Sequence, residues 1–265
     1  MLAFAYSTIN WDETPDMDDM FAQIAKWGWR AVEIFAQPLN WLGPHTLLQD
    51  QLQRHGLVAA TLFGAVAVPG TPQQLTYQFR RIDYAAAVGA DTYGIVGGGR
   101  LRPRKPTIDE YRDLARTLET LAVYGAERGV TVAYHPHVGT TIETESEIDT
   151  LLEQTSSLML CLDVSHVGLV GEDPVKQLRK YRDRLGYVHL KDWGRGSFTE
   201  LGQGTIGLDF QAILQELDQW PFKGWIVVEQ SRSEESPEAS MAINSRYLTD
   251  RGWSIGNIKE MRAIR

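Results

Sequence analysis

Cysteine is almost missing from this chain: Cys161 is the only one in 265 residues. No internal disulfide can form, which suits a reducing compartment. Long apolar runs are missing too. No stretch approaches the ~18 consecutive apolar residues that mark a membrane-spanning helix, so the chain is expected not to span a membrane. Positive charge is scarce: 26 Lys and Arg stand against 34 Asp and Glu, a formal net charge of −8. That deficit argues against non-specific binding to nucleic acid or to an anionic bilayer. The N-terminus, from Met1 to Thr8, lacks the basic start of a signal peptide, and the expected location is the cytoplasm. No Gly-x-Gly-x-x-Gly follows the first strand, which weakens a dinucleotide-binding sheet. Gly97-Gly98-Gly99 lacks that spacing and reads as a tight loop. There is no internal repeat or linker; Arg100–Pro106 is a Pro- and Arg-rich loop too short to separate domains.

What is present points to one domain spanning residues 1–265. Apolar residues make up 43% of the chain and charged ones 23%, a globular profile. Short apolar runs rich in β-branched and aromatic residues occur at Leu2–Ser7, Ala31–Phe35, Leu57–Val66, Thr92–Val96, Val130–His135, Leu158–Val164, Leu185–Leu190 and Trp225–Gln230. Such runs suit parallel strands buried on both faces. Helical periodicity lies between them. Met17, Met20, Phe21, Ile24 and Trp27 share one face, as do Ile108, Tyr111, Leu114, Ala115, Leu118, Leu121 and Ala122. Gly28, Gly56, Gly89 and Gly129 sit where helices should stop before the next strand. Strand and helix alternate eight times, and that count predicts an α/β fold of the (β/α)8, or TIM, barrel type.

In such a barrel the active site lies at the carboxyl ends of the strands. Four of the six histidines fall there: His135 and His137 after the fifth strand, His166 after the sixth and His189 on the seventh. His45 and His55 sit near helix ends. Asp163 and Glu229 end the sixth and eighth strands. A buried carboxylate is costly unless it is paired or metal-bound. Imidazole and carboxylate together suit a divalent ion such as Mn2+, Co2+, Fe2+ or Zn2+. His135 and His137 are two residues apart, so both should face the barrel mouth, with Pro136 ending the strand between them.

These residues resemble a known superfamily, the xylose isomerase-like barrels of sugar phosphate isomerases and epimerases. The resemblance spans essentially the whole chain. It is carried by Val32-Glu33-Ile34, Leu162-Asp163-Val164-Ser165-His166, Val188-His189-Leu190-Lys191-Asp192, Gly207-Leu208-Asp209-Phe210 and Gly224-Trp225-Ile226-Val227-Val228-Glu229-Gln230. Within the superfamily, Tyr134-His135-Pro136-His137-Val138-Gly139-Thr140 looks like the Tyr-His-His-His-Met-Gly-Thr signature of inosose (2-keto-myo-inositol) dehydratases. Pro136 departs from it, replacing the signature's second histidine.

The resemblance implies one divalent ion, Mn2+ or Co2+ first, with Mg2+, Fe2+ and Zn2+ as further choices. Asp163, His189 and Glu229 match three of the family's ligand positions. The fourth is often a glutamate ending the fifth strand. Here either His135 replaces it, or Glu143, eight residues on, reaches back; keeping the family's charge balance favours Glu143. His137 and His166 are then candidates for acid–base work or for holding substrate hydroxyls. Lys191 falls on the same side as His189 and would neutralise developing negative charge. Glu33 and His135 are candidates for binding substrate hydroxyls. Trp11, Trp41 and Trp193 lie in rim loops that would form an apolar lid. The implied activity is that of a lyase removing water from a keto-polyol through a metal-stabilised enolate. The alternative is a ketose or hydroxypyruvate isomerase or epimerase. The partner is a small keto-sugar or keto-inositol, not nucleic acid or membrane, and a homo-oligomer stays open.

Overall fold

A computed structural model describes residues 1–11, 14–67, 70–99, 104–220 and 222–259. Residues 100–103 of the Pro- and Arg-rich loop lie outside that set. The expected strands form as β1 (Ala3–Ser7), β2 (Ala31–Phe35), β3 (Val58–Val66), β4 (Thr92–Gly97), β5 (Thr131–Tyr134), β6 (Met159–Asp163) and β7 (Leu185–Leu190). A hairpin follows, β8 (Asp192–Gly194) paired antiparallel with β9 (Ser197–Thr199), and β10 (Trp225–Val228) is the eighth barrel strand. Each barrel strand pairs in parallel with its neighbours, and β10 closes on β1, so the barrel has no free edge.

The outer helices are α1 (Met17–Lys26), α2 (Leu39–Leu42), α3 (His45–Arg54), α4 (Pro72–Val88), α5 (Ile108–Ala126), α6 (Glu145–Leu152), α7 (Val164–Leu169), α8 (Pro174–Lys180), α9 (Phe210–Gln219) and α10 (Pro237–Thr249). Their starts are written in the sequence. Thr71 and Thr107 open α4 and α5 with reciprocal capping boxes to Gln74 and Glu110. On α5 the predicted stripe is buried from Leu114 to Ala122, but Ile108 is 52% exposed. Ile108 is the helix's first residue, and its side chain falls outside the packed turns.

Strand alternation sorts side chains into two cores. Outward-facing residues such as Phe4, Val32, Leu62, Ile95, Val132, Leu162, Val188 and Ile226 meet the helices. Inward-facing Ala5, Ala31, Phe63, Ala133, Cys161, Tyr187 and Val227 fill the barrel. Interior space is tight enough that Gly94 is needed: a Cβ there would stand 1.8 Å from the Tyr187 hydroxyl. The Gly97–Gly99 segment is the tight loop expected. A Cβ on Gly97 would stand 2.0 Å from the Val66 carbonyl oxygen, and Gly97 and Gly98 both hold positive φ. Among the described residues, no helix is long and apolar enough to cross a membrane.

Candidate metal centre

The interior layer made by Ala133, Cys161, Tyr187 and Val227 is the floor of the site. Two residues further along each strand direction, on the same face, stand His135, Asp163, His189 and Glu229. Period-two alternation therefore delivers four donors to one point at the barrel mouth. One ligand atom from each lies within 4.8 Å of those from the other three, and all four residues are buried. Donors about 2.0–2.2 Å from one ion cannot be more than ~4.4 Å apart, so a few tenths of an ångström of contraction would complete the shell.

The unsatisfied atoms identify where the donors aim. His135 Nδ1, Asp163 Oδ2, His189 Nδ1 and Glu229 Oε2 are all buried without a hydrogen-bond partner. His189 Nδ1 and Glu229 Oε2 are 2.6 Å apart yet not aligned as donor and acceptor. Native interiors rarely leave polar atoms unpaired, and four converging on one point fit a cation. An N2O2 donor set of this kind suits a divalent transition metal.

Each carboxylate divides its work between its two oxygens. Asp163 caps α7, its Oδ1 accepting from Ser165 N at 2.8 Å and His166 N at 3.2 Å, while Oδ2 faces the cluster. Glu229 Oε1 accepts from Lys191 Nζ at 2.6 Å and from the Ser231 hydroxyl at 3.0 Å, leaving Oε2 for the cluster. Asp163 is thus both helix cap and cluster member, and Glu229 both ion-pair partner and cluster member.

His189 shows the same economy. Its Nε2 lies 3.1 Å from Glu33 Oε2, both side chains fully buried. A carboxylate accepting one ring N–H fixes the tautomer and leaves the other nitrogen for the ion. Burial opposes a charge on His189, but Cys161, Glu33 and Glu229 outweigh it and raise the imidazole's pKa well above its usual value. Burial pushes the Cys161 thiol up to about 11, so it stays a neutral floor beneath the cluster. Burial, assisted by the neighbouring imidazole of His189, holds His135 well below the ordinary histidine range, so it is a neutral ligand.

His137, His166 and Lys191 flank this group. His137 is half-buried and donates Nδ1–H to the Val138 carbonyl at 2.6 Å, which leaves Nε2 with its lone pair. The His137 and His166 rings lie 3.7 Å apart between centroids. Both nitrogens of His166 are buried and unpartnered. Burial and then the Lys191 charge depress its pKa, so it is neutral. The Lys191 ammonium is 1% exposed and sits 3.3 Å from Asp163 Oδ2. Burial disfavours its charge, but Asp163 and Glu229 raise its pKa beyond the usual lysine value.

Two of the expected residues stand in other company. Glu143 is not in the cluster; its carboxylate accepts the Gly139 N–H at 2.6 Å and so closes its own loop. His135 stands in the cluster at the fifth-strand position, because it continues the inward face of β5 whereas Glu143 lies beyond a turn. Glu33, expected at a substrate hydroxyl, lies against His189 through Oε2, while its Oε1 is buried and unpartnered. Of the tryptophans, Trp11 packs edge-on against Tyr6 and Trp41 packs against the outer core, whereas Trp193 sits edge-on to Phe198.

Phe198 went unnoticed in the sequence, and Asp192 appeared there only as the end of a motif, with no role. Phe198 lies under Lys191, with Nζ 4.0 Å from the ring centroid, and its ring is 5.3 Å from that of His166. The β8–β9 hairpin carries it, turning at Arg195 and Gly196, both at positive φ. Asp192 holds the hairpin's base by accepting the N–H groups of Trp193, Gly202 and Gly204 at 2.8, 3.0 and 2.9 Å. The Arg195-Gly196 pair between strand-forming residues was the available signal.

Comparison with known proteins agrees with this geometry. An inosose dehydratase of Lacticaseibacillus casei is 30% identical over 219 residues, covering 70% of this chain and 73% of the relative. An inosose dehydratase of Clostridium tetani (strain Massachusetts / E88) is 35% identical over 144 residues, where the chain spans about half of the relative's length, 48%. Among solved structures, the IOLI protein with a binding zinc atom superposes with a TM-score of 0.79 over 94% of this chain and 97% of that one. At 17% identity that likeness establishes the fold alone. Residues 21–251 match the xylose isomerase-like TIM barrel family, and with the closed parallel barrel already in place, the chain belongs to that family.

Proposed function

We propose that the protein is a divalent-metal-dependent lyase of the inosose dehydratase type, removing water from a keto-polyol. The observation that carries this reading is the convergence of one ligand atom each from His135, Asp163, His189 and Glu229, beside the imidazoles of His137 and His166 and a buried ammonium. The inosose dehydratase relatives support the choice of substrate class. Mn2+ or Co2+ is the proposed ion, and when bound it supplies Lewis-acid polarisation of a ketone oxygen.

The chain's own groups do the rest. Elimination of water needs a base for the proton on the carbon next to the carbonyl and a donor for the departing hydroxyl. His137 Nε2 has the free lone pair and is assigned the base. The hydroxyl leaves from the next carbon as a carbon–carbon double bond forms. His166 binds and orients substrate hydroxyls through its unpartnered nitrogens. Lys191, held by Glu229 and Asp163, gives one ammonium proton to the departing hydroxyl, which leaves as water, while His137 keeps the proton taken from carbon. No electron donor or acceptor is required. Glu33 acts on His189 rather than on substrate, and Phe198 screens Lys191 from bulk water.

The test is metal analysis of the purified protein, followed by incubation of the loaded protein with 2-keto-myo-inositol and with ketoses in D2O. Loss of water with a new conjugated carbonyl absorbance is the expected result. Deuterium uptake without loss of water would mark the isomerase or epimerase alternative. Absence of both in loaded protein would sink the metal-assisted proton-transfer reading altogether.

A further inference from the structure

Beside the metal centre, between the β8–β9 hairpin and the start of α10, lies a cavity of 570 Å3. That is within the ~300–1,000 Å3 range of small-molecule sites. Phe198 forms the wall shared with the metal centre, since its ring also underlies Lys191 and faces His166. Lys191 in turn touches Asp163 and Glu229. One aromatic ring and one ammonium therefore separate the cavity from the ligand carboxylates. Its far side includes Ser233, whose hydroxyl accepts from Asn10 on the loop after β1, so the cavity belongs to the same carboxyl-end rim.

The lining chemistry is specific. Glu200 is already used, accepting the Ser240 and Thr199 hydroxyls. Arg195, Arg232, Glu234 and Glu235 also line the cavity, and among the described residues none of their side chains makes a hydrogen bond or ion pair. The open groups are thus two guanidinium donors, two carboxylate acceptors and the Gln203 amide, which both donates and accepts. A phosphate or carboxylate would meet Glu234 and Glu235 as well as the arginines. An aliphatic group would find few apolar walls beyond Phe198, Ala239 and Ile243. A neutral polyhydroxylated ring suits the set, because its hydroxyls both donate to carboxylates and accept from guanidinium groups, while its apolar face packs on an aromatic ring.

We propose that this cavity is a subsite for a glycosyl substituent, a neutral sugar ring carried by the polyol ring that sits at the metal centre. The proposal rests on the function given above and narrows its substrate class to glycosylated keto-polyols. Polyol hydroxyls of the reacting ring would lie on the His166 side of Phe198 and the attached sugar on the hairpin side.

Calorimetry on Mn2+-loaded protein tests it with two unreactive probes, myo-inositol and a galactosyl-myo-inositol. The glycoside should bind at least about tenfold tighter, a gain that a few charge-assisted hydrogen bonds can supply. Ala239→Trp fills the cavity from the first turn of α10 without touching the metal centre. It should abolish that gain and leave the affinity for myo-inositol unchanged. Equal affinity for the two probes, a gain that survives Ala239→Trp, or an equal loss for both probes would overturn the subsite while leaving a cyclitol site at the metal. Failure of both probes to bind to protein that holds its ion would overturn the subsite and the cyclitol reading together.

Discussion

Replacing Glu33 tests the orienting role of a carboxylate that no ligand pattern requires. Glu33 Oε2 lies 3.1 Å from His189 Nε2, and both side chains are fully buried. Gln at this position keeps an oxygen that accepts the ring N–H but removes the negative charge. Ala leaves the ring N–H with no acceptor. Loss of such an outer partner costs ~10–100-fold in metal affinity, so Glu33→Gln should fall near tenfold, or about 1.4 kcal/mol. Glu33→Ala should fall near the upper end, because a buried unpaired donor adds about 1–3 kcal/mol. Glu33 Oε1 is itself buried and unpartnered. Removing that charge should therefore leave the metal-free protein as stable as before, or more so. The assay is a chelator-competition titration, paired with thermal melts of metal-free and metal-loaded protein. The melting increment on metal loading should shrink in Glu33→Gln. Unchanged metal affinity together with a raised KM would refute the argument and put Glu33 at the substrate instead.

Other perturbations separate the remaining roles. Asp163→Ala and His135→Gln should each strip the ion on dialysis, whereas Glu143→Gln should retain it; elemental analysis decides, and an ion lost only from Glu143→Gln would reverse the ligand assignment. His137→Gln should keep its metal and lose at least ~100-fold in rate, the lower range for removing a general base; full turnover would return His137 to loop packing. Gly94→Ala should destabilise the barrel by about 1–3 kcal/mol, since overpacking at Tyr187 must be relieved by movement; a chemical denaturation midpoint equal to wild type would contradict the tight interior. Glu110 is held down to about 2, from an ordinary 4.5, by the Arg104 guanidinium and then by the Thr107 N–H. Because its folded-state pKa is depressed, its advantage over Glu110→Gln should be complete above pH 4.5 and vanish as pH falls through 2. Melting curves that differ by the same amount at neutral pH and at the acid end would exclude it.

The barrel was legible because its signals are local. Strands buried on both faces read as apolar runs, and Gly28, Gly56, Gly89 and Gly129 all end helices at positive φ as expected. Three members of the cluster were legible for the same reason: each ends an apolar run, so its face is set by alternation. For the fourth position, charge balance was weighed above strand parity. Ala133 faces the interior, so His135 must face it too. Glu143 lies past the turn in which the Thr140 N–H donates to the His137 carbonyl. The charge-balance argument also left out Lys191, named only for the reaction, whose charge already offsets a carboxylate. The Glu33–His189 contact spans 156 residues of sequence across the barrel, and no local pattern encodes such a partner. The β8–β9 hairpin was overlooked because its strands are three residues each, too short for any periodicity to register.

The buried charges around the cluster explain why its ion should be divalent. Asp163, Glu229 and Glu33 bring three carboxylates to a rim where each is at most 3% exposed. Among the described residues, Lys191 is the one permanent cation in this group, and it touches Asp163 and Glu229. His135 and His166 contribute no charge, because burial keeps both neutral. Two positive charges are missing, and in a low-dielectric interior an uncompensated carboxylate costs several kcal/mol, roughly. A proton on His189 supplies one of them, which accounts for the raised pKa of that ring. A divalent ion supplies both and needs the same Nδ1 lone pair that the proton would take. Ion and proton therefore compete for one nitrogen, while Glu33 keeps hold of the other. The third carboxylate, which binds nothing but a histidine, is thus what sets the charge of the ion that the other two can hold.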